Sequence, residues 1–547
     1  MRHGGSRLLA RTPWLTSSPR KPVCGLHALK QNFHYPEALP KKRSFSHTFP
    51  RAEQSSTDTP AGLPTRRWST PLAQTIARAI EVTGPIPIAS YMRQCLTNPD
   101  GGYYTKSLSS SSDADPFGAT GDFVTSPEIS RIFGELVGIW FMTEWMAQGR
   151  PSQGVQFIEL GPGRGTLMND ILRTIGQFKT FAKAVSAVWL VEAGEGLRKR
   201  QKNLLCGSGA EMKEVSDASG KNVYWEATSS QGIPVRWVED VALLPEAEDG
   251  QSTPFIIAHE FFDALPIHAF ESVAPKADDT QSDPRVQLLT EGELRKARKS
   301  TASTLPQWRE LLVAPTTPKL TSLLSPTNEK STSLQEPEPE FQLTLAKAST
   351  PSSLVIPERP RYRAVKYQVS SRVEVSPESS RYIIDFAKRI GGGTSKHRPS
   401  GAALIIDYGP LDSVPINSLR AIREHKVISP FVYAGDADIS ADVDFGALVD
   451  AALDASPGVE VHGPVEQGIW LMQLGIQERA ERLLKGLQTE GVQSEESEKR
   501  RKDFEAGWKR LVEGGPKGMG KAYKVMTIVP ENGGQRRPVG FGGSVIG

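Results

Sequence analysis

From about residue 155 the chain alternates short apolar runs with stretches of helical spacing. VQFIEL, AVWLVEA, VRWVED, PFIIAHE and GAALIIDYG are too short for helices and rich in β-branched and aromatic residues, so each is predicted to be a buried strand. Strands alternating with helical stretches predict a parallel sheet with helices on both faces, an α/β fold. Upstream, EISRIFGELVGIWFMTEWMA (residues 128–147) repeats Ile129, Ile132, Phe133, Leu136, Val137, Trp140 and Phe141 at helical spacing. Glu135 and Glu144 interrupt it, and the uninterrupted apolar run is too short to span a bilayer, so it predicts a core helix and no transmembrane segment. LAQTIARAIEVTGPIPIASYMRQCLTNPDGGYY, earlier still, has helical periodicity ending in a turn, and folded structure is expected from near Thr70.

Other stretches carry no apolar period. Residues 47–75 are rich in Pro, Ser, Thr and Arg and predict a linker before a helical or lid region at 76–150. Within the main body, 151–485, SVAPKADDTQSDP (272–284) and LLSPTNEKSTSLQEPEPE (323–340) predict polar insertions near 272–306 and 314–342. Residues 486–547 read as a C-terminal extension, solvated over 486–521 and frayed in GGQRRPVGFGGSVIG.

Charge changes this picture at the N-terminus. The net charge is +3, but residues 1–46 hold nine lysines and arginines against one acid, Glu37, so the rest of the chain is slightly acidic. A basic balance therefore gives no reason to expect nucleic-acid binding. An Arg- and Ser-rich segment with an apolar patch at Leu8, Leu9, Trp14 and Leu15 has the make-up of a mitochondrial presequence, with cleavage expected near Phe45 or Ser46; a basic tail is the plainer alternative. Cys24, Cys95 and Cys206 match no zinc or CxxC spacing, so neither a disulfide framework nor a metal site is expected.

Candidate chemistry gathers at the ends of the predicted strands. Glu159-Leu-Gly-Pro-Gly-Arg-Gly165 closes the first strand and opens a helix, where bare backbone can approach a ligand and helix N-terminal amides face it. Gly161, Gly163 and Gly165 followed by Thr166 miss the dinucleotide spacing G-x-G-x-x-G, and no Gly-Lys-Ser/Thr marks a P-loop. Glu192, at the end of the second strand, can accept hydrogen bonds from both hydroxyls of a ribose. Asp240, at the end of the third, either faces adenine or only caps a helix. Together these fit S-adenosyl-L-methionine, whose positive charges also favour an acid such as Glu159 nearby. The fourth strand runs into Ala258-His-Glu-Phe-Phe-Asp-Ala-Leu-Pro266. Glu260 and Asp263 there could hold a guanidinium by charge-assisted hydrogen bonds, with His259 beside them; the alternative is a capped helix start. Ser126 with Pro127, or Thr125 with Glu128, gives helix-start chemistry, and Gly121, Asp122 and Phe123 could form a lid.

TGPIPIASYMRQCLTNPDGGYY, GDFVTSPEISRIFGELVGIWFMTEWM, FIELGPGRGTLMNDILR, AHEFFDALPIHAF, GAALIIDYG and ADVDFGALV together resemble the MidA-type mitochondrial methyltransferases over most of residues 70–480. The resemblance implies a Rossmann-like S-adenosylmethionine-dependent methyltransferase fold with a cofactor loop on Gly161, Gly163 and Gly165. It also implies a mitochondrial matrix location and symmetric dimethylation of an arginine on a peripheral-arm subunit of respiratory complex I, in support of that complex's assembly. It leaves open which acid orients the arginine; Glu260 and Asp263 come from the residues themselves. Two competing readings stand beside it: a non-catalytic assembly chaperone that keeps the cofactor fold, and a small-molecule methyltransferase with a closed pocket.

Overall fold

The computed structural model describes residues 66–105, 124–216, 223–245, 252–274, 305–317, 338–392, 398–489, 495–515 and 517–542. Its centre is a nine-stranded sheet whose strands in chain order are β1 (Val155–Leu160), β2 (Val185–Val191), β3 (Lys213–Ser216), β4 (Val223–Thr228), β5 (Pro234–Val238), β6 (Thr253–His259), β7 (Ala402–Tyr408), β8 (Val459–Glu466) and β9 (Tyr523–Pro530). Across the sheet the order is β8-β9-β7-β6-β1-β2-β5-β4-β3. The five apolar runs are the parallel strands β7, β6, β1, β2 and β5, as their alternation with helices predicts. Both margins are antiparallel: β9 against β7 and β8 on one side, β4 and β3 beyond β5 on the other.

Period-two alternation divides the core. Phe157, Phe255, Leu404 and Ile406 face one side of the sheet and Ile158, Ile256, Ala403 and Ile405 the other. Six helices matter for the site: α1 (Pro71–Thr83), α2 (Ile88–Thr97), α3 (Arg131–Ala147), α4 (Thr166–Ile175), α5 (Glu195–Cys206) and α6 (Pro377–Gly391). Phe133, Val137, Trp140 and Phe141 of α3 cover the first face, and Ile383, Phe386 and Ile390 of α6 the second. Each such side chain, fully buried, stabilises the fold by about 1.5–3 kcal/mol. The acids that interrupt α3 are paired rather than solvated. Glu144 is buried and takes two hydrogen bonds from Arg536, and Glu135 pairs with Arg173 and Arg479.

The chain departs from the sequence reading in several places. The helix expected over 128–147 is broken, because Ser130 is extended (φ −155°, ψ 128°) between a short helix, Ser126–Ile129, and α3. Thr125, not Ser126, takes the cap position, with no side-chain cap bond. The linker expected through residue 75 ends earlier: Ser69 gives its N–H and hydroxyl to Glu340 at 2.6 Å each, and Thr70 caps α1 by accepting from the Ala73 N–H. The stretch expected over 486–547 as a C-terminal extension supplies β9, which lies inside the sheet, and part of the segment expected to fray is packed down. Beyond β9, the Val539 carbonyl accepts from the Trp140 indole at 3.0 Å, and Val539 and Phe541 are buried.

A second, antiparallel sheet of Ile86–Pro87, His268–Val273, Gln307–Pro315, Phe341–Leu345 and Arg372–Val375 has its own apolar core with α1 and α2. Its strands bracket the two expected insertions, whose interiors at 275–304 and 318–337 lie outside the described residues, as do residues 1–65 and the lid expected at Gly121, Asp122 and Phe123. Among the described residues no helix is long and apolar enough to cross a membrane.

Candidate active site

The carboxyl ends of β1, β2, β5 and β6 open on a cavity of about 450 Å³, roofed by Leu96 and Thr97 of α2 and by Tyr104 and Asp438. That edge is where an open α/β sheet places its ligands, and the size suits a small-molecule site. Gly161 and Gly163 line it, and Gly165 packs behind them against Gln201; their φ of 61°, 52° and 84° fall in the left-handed region that side chains disfavour. The Gly161 N–H donates to the Val191 carbonyl and the Gly165 N–H to that of Pro162, closing a tight turn before α4. A Cβ on Gly161 would lie 3.0 Å from the Phe261 ring, so the loop packs directly against the predicted reactive segment.

Glu192 lines the same cavity. One carboxylate oxygen accepts from the Gly194 N–H at 2.8 Å and the other from the Gln201 amide at 3.1 Å. Burial pushes it up to about 7, against these hydrogen bonds and the charge of Arg198. Gln201 also donates to the Gly163 carbonyl at 2.7 Å and accepts from the Trp237 indole at 3.0 Å, so one buried amide ties the glycine loop to the ribose candidate. Asp240 is not brought to the cavity. Its carboxylate accepts from the Ala242 N–H and pairs with Arg381 at 3.5 Å, the capping role weighed above, while its neighbour Glu239 lines the wall.

Glu159 is 3% exposed, lines the cavity, and is driven up to about 8 by burial. Its Oε2 has no hydrogen-bond partner among the described residues. A buried carboxylate oxygen left this way is stabilised by a cation entering the cavity, so the residues fit a positively charged adenosyl ligand.

At the end of β6, Glu260 has φ 51°, a strained value for a side-chain-bearing residue of the kind that collects at functional sites. Asp407 over-determines the turn: its Oδ2 accepts from the N–H groups of Phe261 and Phe262 at 3.1 and 2.8 Å, and Glu260 gives its own N–H to the Ile406 carbonyl. Burial, with help from Asp263, pushes Glu260 up to about 8, against the nearby Tyr523 hydroxyl and a hydrogen bond from the Ser126 N–H. Burial pushes Asp263 up to about 6, with the Arg420 guanidinium holding it down. His259 is driven down to about 3 by burial and is neutral; its ring lies 5.1 Å from Phe133 and stacks on Tyr523. The structure thus gathers Glu159, Glu192, Glu260, Asp263, Gly161 and Gly163 around one cavity, with Gly165 just outside its lining.

Sequence reasoning missed Gln201, Asp407, Tyr408 and Tyr523. Asp407 had a signal, since an acid ending an apolar strand is the pattern that marked Glu159 and Glu192. Gln201, in a run of charged helix, had none.

A glycine turn at the first strand of a Rossmann sheet, with acids at the ends of the strands beside it, defines an S-adenosylmethionine-dependent methyltransferase. A family model described as a putative S-adenosyl-L-methionine-dependent methyltransferase matches residues 136–465. The mitochondrial protein arginine methyltransferase NDUFAF7 homolog of Drosophila melanogaster is 33% identical over 459 residues, 84% of this chain and 85% of that protein. Human mitochondrial protein arginine methyltransferase NDUFAF7 is 32% identical over 463 residues, 84% of each. The chain belongs to this methyltransferase family, and S-adenosyl-L-methionine is its methyl donor. A solved structure from Burkholderia thailandensis, described as a "likely methyl transferase" with S-adenosyl-homocysteine bound, shares the fold, with a TM-score of 0.53 at 19% identity over 86% of this chain and 93% of that one.

Proposed function

We propose that the protein transfers methyl groups to the guanidinium nitrogens of arginine in a protein substrate, giving symmetric dimethylarginine. The substrate is a peripheral-arm subunit of respiratory complex I in the mitochondrial matrix, and the modification supports assembly of that complex. The observation that carries the arginine reading is the presence of two acids on one short turn opening on the cofactor cavity, Asp263 buried and Glu260 with its side chain 9% exposed. The relatives, named as mitochondrial protein arginine methyltransferases, agree with this reading, and the basic N-terminal segment suits import.

The glycine amides and Glu192 would hold the adenosyl part of the donor, and Glu159 its positive end. Bound there, S-adenosylmethionine supplies a methyl group on a sulfonium. Asp263, ionised at neutral pH, attracts the guanidinium, and Glu260 gives up its proton as that cation arrives. The two carboxylates would then hold one nitrogen toward the donor's methyl group. Methyl transfer to that nitrogen would leave the carbon–sulfur electron pair on sulfur and release one proton from the nitrogen, which Glu260 is placed to take.

The test is incubation of the protein with labelled S-adenosylmethionine and complex I subunits, followed by mass spectrometry of the modified residue. Symmetric dimethylarginine on a peripheral-arm subunit, lost in Glu260→Gln and Asp263→Asn, is expected. Normal complex I assembly in cells carrying both substitutions, without any methyl transfer, would replace this reading with that of a holding protein.

A further inference from the structure

Behind Glu260 lie two phenols that the proposed chemistry does not use. Tyr408 and Tyr523 stand directly opposite each other on β7 and β9. Their ring centroids are 4.0 Å apart and their hydroxyls share a 2.5 Å hydrogen bond. Tyr523 is buried and donates its hydroxyl to that of Tyr408, and the Glu260 carboxylate lies beside it with its Oε1 unpartnered among the described residues. The pair therefore runs as a line from Glu260 through Tyr523 to Tyr408. Tyr408 ends against Arg420, whose guanidinium lies 5.2 Å from its ring centroid and pairs with Asp442 at the surface side of the site.

A phenol has one proton to give. When Glu260 is ionised it accepts from Tyr523, and Tyr523 can then be satisfied only by accepting from Tyr408. When Glu260 is protonated it can donate to Tyr523, which in turn donates to Tyr408. The two hydroxyls thus have two self-consistent directions, and the charge on Glu260 selects between them. We propose that Tyr523 and Tyr408 are positioning residues for Glu260, a two-phenol relay that reverses when Glu260 gains or loses its proton and so favours the carboxylate that meets the substrate cation. The inference rests on the reading of Glu260 as the arginine-facing acid, but the relay itself can be measured without any substrate.

Other charged and titratable groups facing this line are fixed in kind. Glu260 has His259 at 3.4 Å, neutral by burial, and the acids Asp263, Glu128 and Asp407 around it, all of which oppose its ionisation. Asp263 and Arg420 flank Tyr408 with opposite signs. Against several opposing acids, the Tyr523 hydroxyl and the Ser126 N–H are the donors that favour the charged form.

The experiment is an infrared titration of the full protein, in which the carboxylic acid C=O band of Glu260 is assigned by its loss in Glu260→Gln. Removing a hydrogen bond to the carboxylate raises the midpoint, so Tyr523→Phe is expected to move it up by about one pH unit. Tyr408→Phe, which acts only through Tyr523, should raise it by less, and the double variant should match Tyr523→Phe alone. An unchanged midpoint in Tyr523→Phe overturns the positioning role. An unchanged midpoint in Tyr408→Phe, or an additive double variant, overturns the relay. Phenylalanine keeps both rings, and retained S-adenosylmethionine binding in each variant reports the fold. Should Tyr523→Phe fail that check, the smaller rise in Tyr408→Phe decides. Shifted midpoints without methylation of any arginine would leave the relay standing and sink the arginine reading; methylation with unshifted midpoints would do the reverse.

Discussion

Glu159, Glu192 and Glu260 are acids whose burial outweighs the groups that would keep them charged, and this makes each one a sensor for an incoming cation. Glu159 is the cleanest case, because desolvation alone displaces it, to about 8. Below that pH it is neutral in the protein without cofactor, and a cationic ligand must displace its proton to gain the ion pair. The sign follows by linkage: affinity is lost as pH falls below about 8, by about tenfold per unit for one proton released. Glu192, at about 7, adds a second, lower step if the ligand draws on its charge. Calorimetric titration of S-adenosylmethionine between pH 6 and 8.5 is expected to show this slope in the wild type. Glu159→Gln should bind more weakly at pH 8 and lose the upper part of the slope. A Glu159→Gln profile as steep as wild type over pH 7–8 would remove Glu159 from the cation's neighbourhood.

At the scale of elements, the glycine loop is set by three left-handed residues in five positions, a geometry a β-branched residue does not tolerate. Gly163→Val is therefore expected to abolish S-adenosylmethionine binding, measured by the same calorimetry, and Gln201→Ala to weaken it by about tenfold, since Gln201 anchors both the Gly163 carbonyl and Glu192. Cofactor binding retained by Gly163→Val would mean that the loop does not cradle the ligand. Glycines after a strand also serve ordinary tight turns, so this loop was legible only with Glu192 and the acids of the fourth strand end beside it, and the five parallel strands were legible because each carries its own apolar run. The outer strands were not. β9 carries an apolar run of its own, YKVMTIVP, but lies between a charged stretch and a glycine-rich end, and only its long-range pairing with β7 places it in the sheet; β3 and β4 carry too little apolar pattern to stand out. Asp240 shows the limit at the level of one side chain. An acid at a strand end faces either the cleft or its own helix start, and only the turn that follows decides; here the Ala242 N–H took it.

For the whole molecule, the same burial that prepares the site works against stability. A carboxyl whose folded pKa lies above its unfolded one favours folding only while it stays protonated. Its contribution is full below the unfolded value and is lost as pH rises toward the folded value. For Glu159 and Glu260 that window runs from about 4.5 to about 8, and for Glu192 from about 4.5 to about 7. His259 has the opposite dependence, with its loss confined between about 6.5 and about 3. Above pH 6.5 the acids act alone, so the protein without cofactor should become less stable between pH 6.5 and 8.5, with Tm falling by on the order of 5 °C. Saturating S-adenosylmethionine, which stabilises the ionised form of Glu159, should flatten that decline and raise Tm most at the alkaline end. Differential scanning calorimetry across this range, with and without the cofactor, checks both parts. A Tm that rises with pH in the protein without cofactor, or a cofactor increment that shrinks toward pH 8.5, would mean that the buried acids are already satisfied and that the cavity is not waiting for a cation.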